Sequence, residues 1–190
     1  MLTTKLVSNE EELGQILQLQ LANTKPYLSK AEIVDQGFVT VVHTPQQLQQ
    51  LHNIYPSVIV KDGETLAGYA LVMPRECAGV VPVLVPAFKA LNQLEYKGQS
   101  LQNISWYLMG QVCVAKAYRG QGVFKMLYEG HRQFLQSRYD YCITEISTTN
   151  KRSLRAHEKV GFTTLHRFAD ATDEWEIMVW GWETWTAPKK

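Results

Sequence analysis

The stretch Val112-Cys113-Val114-Ala115-Lys116-Ala117-Tyr118-Arg119-Gly120-Gln121-Gly122-Val123-Phe124-Lys125 decides the fold. It opens with β-branched residues and crosses a turn that holds two glycines. It then enters a run in which Val123, Met126, Leu127, Gly130 and Phe134 step by three or four, the spacing of one helix face. A strand, a glycine turn and a helix in that order leave the first helical amides without intrahelical acceptors. With the helix dipole, that end carries about half a positive charge and suits a phosphate or pyrophosphate. Gly120 and Gly122 permit close backbone approach and positive φ. Arg119 and Lys125 are expected as mobile positive charge at the rim. Taken alone, Arg119 to Gly122 reads equally well as a tight turn whose glycines serve geometry. No GK[ST] follows, so it is not a P-loop, and it lacks the third glycine of a dinucleotide fingerprint.

Working outward, Ile104 to Val114 reads as a long aromatic-rich strand and Gly122 to Arg138 as an amphipathic helix. Tyr141 to Ser147 is a strand, Ser153 to Val160 a helix ended by Gly161, and Phe162–Phe168 and Trp175–Trp182 a last pair of strands. Strand–helix–strand implies parallel pairing with a right-handed crossover. Upstream, Ser57–Lys61 and Glu64–Met73 form a hairpin about Asp62-Gly63. The first third reads as mainly helical: Ser8-Asn9-Glu10-Glu11 caps one helix, and Thr44-Pro45 opens another. Phe38 to Val42 reads as a strand between them. Residues 74–102 read as an insertion near the working face, with a helix over Ala87–Tyr96 closed near Gly98.

The chain has 190 residues, 45% of them hydrophobic and 19% charged, with a formal charge of +1. That predicts one domain over residues 1–190, without a basic field for nucleic acid or an anionic membrane surface. No apolar run approaches the ~20 residues of a membrane helix. The opening lacks the apolar stretch of a signal peptide, so a cytoplasmic protein is expected. Cys77, Cys113 and Cys142 match no metal spacing, and no metal is expected.

A second segment runs Thr148-Thr149-Asn150-Lys151-Arg152-Ser153-Leu154-Arg155-Ala156-His157 and ends at Gly161-Phe162. Ser153 and His157 are four apart and share a helix face. Together, the order strand–RGQG–helix–strand–N-x-x-S–helix–GF resembles the GNAT superfamily of acetyl-CoA-dependent N-acetyltransferases. The resemblance spans the hairpin and the chain from about Ile104 to Trp182. It implies an α/β fold with a mixed, mostly antiparallel central sheet, a parallel pair at the cofactor cleft and flanking helices.

It also implies acetyl-CoA as co-substrate and a small-molecule or peptide amine as acceptor. By resemblance, the backbone of Val112, Cys113 and Val114 pairs with the pantetheine arm. The amides of Gln121, Gly122, Val123, Phe124 and Lys125 hold the pyrophosphate on a turn of family pattern [QR]-x-x-G-x-[GA], which Arg119 and Gly120 begin. Phe124 stands where the family has a small residue, a change expected to tilt the helix or narrow the phosphate pocket. Asn150 and Ser153 match residues beside the cofactor. Seven places after that Asn the family has a Tyr as general acid, and here stands His157, whose imidazole suits proton donation near neutral pH. The bland reading of His157 is packing against its own helix.

The family's usual carboxylate is missing from the strand Ile104 to Gln111, and Glu145 on the next strand is the nearest acid for a base, or a structural residue. Asp170, Asp173, Glu174 and Glu176 read as a solvated turn or an acceptor-attracting one. Of Trp106, Tyr107, Trp175, Trp180 and Trp182, one or two are expected in the site and the rest in the core. The Trp-rich last strand could pair in a homodimer. An acyl-CoA-binding sensor without turnover, and an unrelated phosphate-binding protein, are the competing functions.

Overall fold

The βαβ unit forms where its pattern places it. In the computed structural model, which describes residues 1–29, 32–33, 37–171 and 173–182, strand β6 (Trp106–Val114) leads through a 3-10 turn into a helix at Val123–Leu135. That helix, α4, returns the chain to β7 (Tyr141–Ser147), parallel to β6. Around this pair stand β1 (Leu2–Leu6), β2 (Val58–Asp62), β3 (Thr65–Pro74), β8 (Thr163–Ala169) and β9 (Glu174–Trp180). The seven strands run β1-β2-β3-β6-β7-β9-β8, and every neighbouring pair except β6–β7 is antiparallel. This is the mixed sheet that the sequence predicts.

Helices cover both faces. One core joins α1 (Glu10–Ala22), α2 (Pro45–Ile54) and α3 (Val85–Leu91) to the face showing Tyr69, Leu108, Ile143 and Ile177. The other joins α4 and α5 (Lys151–Val160) to Tyr107, Met109, Cys142 and Met178. Each fully buried large side chain contributes about 2–3 kcal/mol, and Trp106, Tyr69, Tyr107 and Tyr128 are all buried. Asn9 caps α1 by accepting from the Glu12 amide at 2.9 Å, and Thr44 and Gln47 make a reciprocal capping box on α2.

Three expectations are corrected. The opening third also contains a strand, β1, which pairs with β2. Phe38–Val42 is not a strand: only Val39 makes a bridge, to Thr24, and its amide bonds the Asn23 carbonyl at 2.8 Å. The segment instead crosses the sheet as a cover. The helix expected over Ala87–Tyr96 ends at Leu91, and Tyr96 enters a small hairpin of β4 (Glu95–Tyr96) and β5 (Gln99–Ser100) turned at Lys97-Gly98.

Candidate active site

Strands β6 and β7 pair at only three registers, Trp106–Tyr141, Tyr107–Cys142 and Leu108–Ile143. Beyond them β6 follows β3 and β7 follows β9, so the sheet forks. A bulge drives the fork: Val72 pairs with Met109 but Ala70 pairs with Val112, which sets Gly110 and Gln111 against Leu71 alone. The extra residue bends β6 and flips its alternation, so Val112 and Val114 turn to the α4 side. At the crotch, the Thr144 hydroxyl donates to the Met109 carbonyl at 3.1 Å. Gln111 accepts from the Tyr69 hydroxyl at 2.6 Å and donates to the Val41 carbonyl at 2.7 Å, tying the bulge to the covering segment.

The fork opens a cleft of about 540 Å³ that passes through the sheet. On the α4–α5 side, Gly120 and Gly122 have φ of 77° and 81°. Gly122 is the N-cap of α4, with no side-chain cap. A Cβ there would touch nothing, so the left-handed backbone, not space, requires glycine. The first helical bond to an amide here is Met126 N–H to the Gly122 carbonyl, at 3.0 Å. The amides of Val123 and Phe124 therefore have no acceptor among the described residues, and they open on the cleft.

Val112, Cys113, Val114, Arg119, Asn150, Ser153 and His157 all line this cleft. Gln121, expected to give an amide to the pyrophosphate, does not line the cleft: its amide donates to the Tyr118 carbonyl at 3.4 Å and its side chain to the Ala117 carbonyl at 2.7 Å, because the turn closes on itself there. Other residues line the cleft but are used differently from expectation. Arg119 is not a mobile rim charge. Its guanidinium donates to Asn23 Oδ1 at 2.7 Å and to the Val114 carbonyl at 3.3 Å, because the turn folds it back onto β6 and the end of α1. Phe124 packs edge-on against His157 and tilted on Tyr128, filling the angle between α4 and α5. Asn150 caps α5, accepting from the Ser153 amide at 3.1 Å, and Gly37 of the covering segment lies against its amide group.

His157 is buried, and both its ring nitrogens are engaged. Nδ1 lies 2.7 Å from the Ser153 carbonyl, which can only accept, so Nδ1 carries the ring's proton. Nε2 then accepts from the Tyr128 hydroxyl at 2.5 Å. Burial pushes the imidazole pKa down to about 4. This arrangement leaves no free proton for the expected donor role. The Cys113 thiol is buried, and its pKa is pushed up to about 12 by that burial, which makes it a poor nucleophile.

Glu145 lies on the other face of β7, opposite Ile177. It lines the cleft, and among the described residues no hydrogen-bond donor or cation holds its carboxylate. Burial, with Asp170 nearby, raises its pKa to about 7. Its neighbour Trp175 also lines the cleft, while Trp106, Tyr107, Trp180 and Trp182 are core residues. The four acids of the β8–β9 region separate. Glu176 is buried and pairs with Arg167 at 2.9 Å and with the Thr164 hydroxyl, and Asp173 accepts from the Ser147 hydroxyl at 2.6 Å.

Sequence reasoning missed Gln111, Thr144 and the covering segment. A glycine and a glutamine inside the apolar strand Trp106–Val114 were the available sign of a bulge. Among the described residues, no group of three or more His, Cys, Asp and Glu side chains gathers in a metal-holding arrangement, and no helix is long and apolar enough to cross a membrane.

A sequence profile described as the acetyltransferase (GNAT) family matches residues 33–162, more than half of the chain. The chain belongs to the GNAT acetyltransferase family. A search of curated protein sequences finds no significant match. Solved structures share the GNAT fold at low identity. The ribosomal-protein-S18-alanine N-acetyltransferase of Escherichia coli has a TM-score of 0.61 at 12% identity, with 94% of this chain and 92% of that one covered. An N-acetyltransferase from Staphylococcus aureus Mu50 has 0.60 at 14%, covering 96% and 99%. The protein yncA of Salmonella typhimurium, solved with its cofactor acetyl-CoA, has 0.58 at 15%, covering 99% and 98%. Membership of the family supports an acyltransferase, and the fork, the open edge of β6 and the uncapped α4 are the features of this chain that fit acetyl-CoA.

Proposed function

We propose that the protein transfers an acetyl group from acetyl-CoA to a primary amine by direct attack within one ternary complex. One observation carries the reading: the unpaired edge of β6, the Val123 and Phe124 amides at the start of α4 and the carboxylate of Glu145 all line the same cleft, from opposite faces of the sheet. Acetyl-CoA supplies an activated thioester, and this chain supplies the rest. The edge of Val112–Val114 offers backbone groups to an extended polar arm, and the amides from Gly122 to Lys125 hold the pyrophosphate. The bulge leaves ladder groups of Gly110–Gln111 unpaired at the crotch, where they can hold a carbonyl oxygen.

Glu145 takes the proton that the attacking nitrogen must lose, and a pKa near 7 matches that task at neutral pH. The N–C bond forms as the C–S bond breaks. Protonation of the leaving thiol needs no buried acid, since thiols have pKa values of only about 8.5. His157 is then a positioning residue, which with Tyr128 fixes Phe124 and the start of α5.

Calorimetric titration with acetyl-CoA, CoA and ATP, followed by thiol release with offered amines, tests this. Micromolar, CoA-selective binding and thiol release are the expected results. Binding without thiol release from any amine would instead establish a non-catalytic acyl-CoA sensor. Equal affinity for ATP would end the acetyl-CoA assignment.

A further inference from the structure

The acceptor end of the cleft has a definite chemistry. It lies on the α1–α3 side, because Glu145 alternates with Thr144 and Ile146 and shares its face with Ile143 and Ser147. Trp175 pairs directly with Ser147 and Glu145 with Ile177, so Trp175 and Glu145 are diagonal neighbours on one face, within reach of each other's side chains. Buried Leu108, paired with Ile143 on that face, also lines the cleft, as do Leu84 and Ala87 from the α3 region. The Trp175 indole nitrogen is buried and has no hydrogen-bond partner among the described residues.

Charges are distributed unevenly. Glu145 is the carboxylate among the cleft-lining residues, whereas Arg119, Lys125, Arg152 and Lys159 line it from the turn after β6, from α4 and from α5. Asp170 faces Glu145 from the exposed β8–β9 turn, and Asp173 in that turn is held by the Ser147 hydroxyl.

Resting on the acetyl-transfer reading above, we propose that the acceptor is a monoamine carried on an apolar, and best an aromatic, body. Its nitrogen meets Glu145, and its body lies against the Trp175 ring and the aliphatic wall of Leu84 and Ala87. A polyamine's second ammonium would be placed against that wall, where an unpaired charge is costly, or drawn out to the exposed turn at Asp170. An amino acid would bring a carboxylate toward Glu145. An aromatic body instead stacks on the indole and removes both apolar surfaces from water.

The test is thiol release from acetyl-CoA with phenethylamine, tryptamine, putrescine, spermidine and glycine. The aryl amines are expected to exceed putrescine and spermidine in kcat/KM by about 10-fold or more, a usual discrimination for an apolar pocket. Trp175→Ala should raise KM for phenethylamine by about 10-fold while calorimetry shows acetyl-CoA affinity unchanged. Leu84→Glu, a second variant at a half-buried wall position, should narrow the gap between spermidine and phenethylamine. Turnover of spermidine at least as fast as that of phenethylamine overturns this inference and leaves acetyl transfer standing, as does an unchanged phenethylamine KM in a folded Trp175→Ala protein. Acetyl-CoA binding without thiol release from any of the five overturns acetyl transfer and this inference together.

Discussion

Glu145 and His157 line one cleft, and burial moves their protons in opposite directions. Burial lifts the Glu145 carboxyl to about 7 and drops the His157 imidazole to about 4, so at neutral pH the carboxyl is the group poised to exchange a proton. The kcat/KM of the native protein is expected to rise with pH through about 7 and then level. Glu145→Gln should lose about 100-fold or more in kcat, and with it that limb of the profile, while acetyl-CoA affinity holds. A limb near 7 that survives in the Gln variant would remove Glu145 from the base role. For His157 the expectation is structural. Tyr128→Phe strips the donor from the buried Nε2, which should cost about 1–3 kcal/mol in urea denaturation, with thiol release altered far less. If Tyr128→Phe abolished thiol release at unchanged stability, the pair would be part of the chemistry.

At the scale of elements, the turn before α4 couples backbone conformation to ligand binding. Gly122→Ala meets no steric obstacle, yet it forces a side chain into the left-handed region at a cost of about 1–2 kcal/mol. The helix can escape that strain only by turning its first amides, so acetyl-CoA affinity should fall by about 10-fold in calorimetry. Lys125→Ala, at an exposed lysine whose ammonium lies 3.4 Å from Glu129, should shift stability by under ~0.5 kcal/mol. This turn and its helix were legible because helical period and turn chemistry are local in sequence. The segment Phe38–Val42 was not. Its β-branched residues suit a strand, but Gln111 and Asn23 claim its backbone groups from distant parts of the chain. Strand β1 was hidden for a related reason: its five residues gain their pairing only from β2, more than fifty positions later. The same limit applies to Arg119, whose charge predicted an open rim but whose partner, Asn23, lies at the far end of α1.

Across the whole molecule, three imidazoles are buried and neutral, and they set how the fold responds to acid. Burial lowers the pKa of His43 to about 4, of His131 to about 3 and of His157 to about 4, against about 6.5 in an unfolded chain. Between pH 6.5 and 4 the unfolded state therefore binds more protons than the native one, and stability is lost as pH falls through that window. Each ring costs at most about 1.4 kcal/mol per pH unit there, so the three together approach ~4 kcal/mol per unit well below pH 6. Glu145 works the other way. Its raised pKa makes the native state bind a proton first, so it returns part of the loss as pH falls from about 7 to about 4.5. One carboxyl cannot offset three rings, and the native state has only about 5–15 kcal/mol to lose. The urea midpoint, followed by tryptophan fluorescence, is expected to stay nearly level from pH 8 to 6.5 and to fall steeply below 6. A midpoint still level at pH 4.5 would mean that these rings are not buried as neutral groups. Activity governed by Glu145 should decline first, near pH 7, and the fold only below about 6. The interval between the two separates a catalytic proton from the structural ones, and coincident losses would show that the decline in activity is merely unfolding.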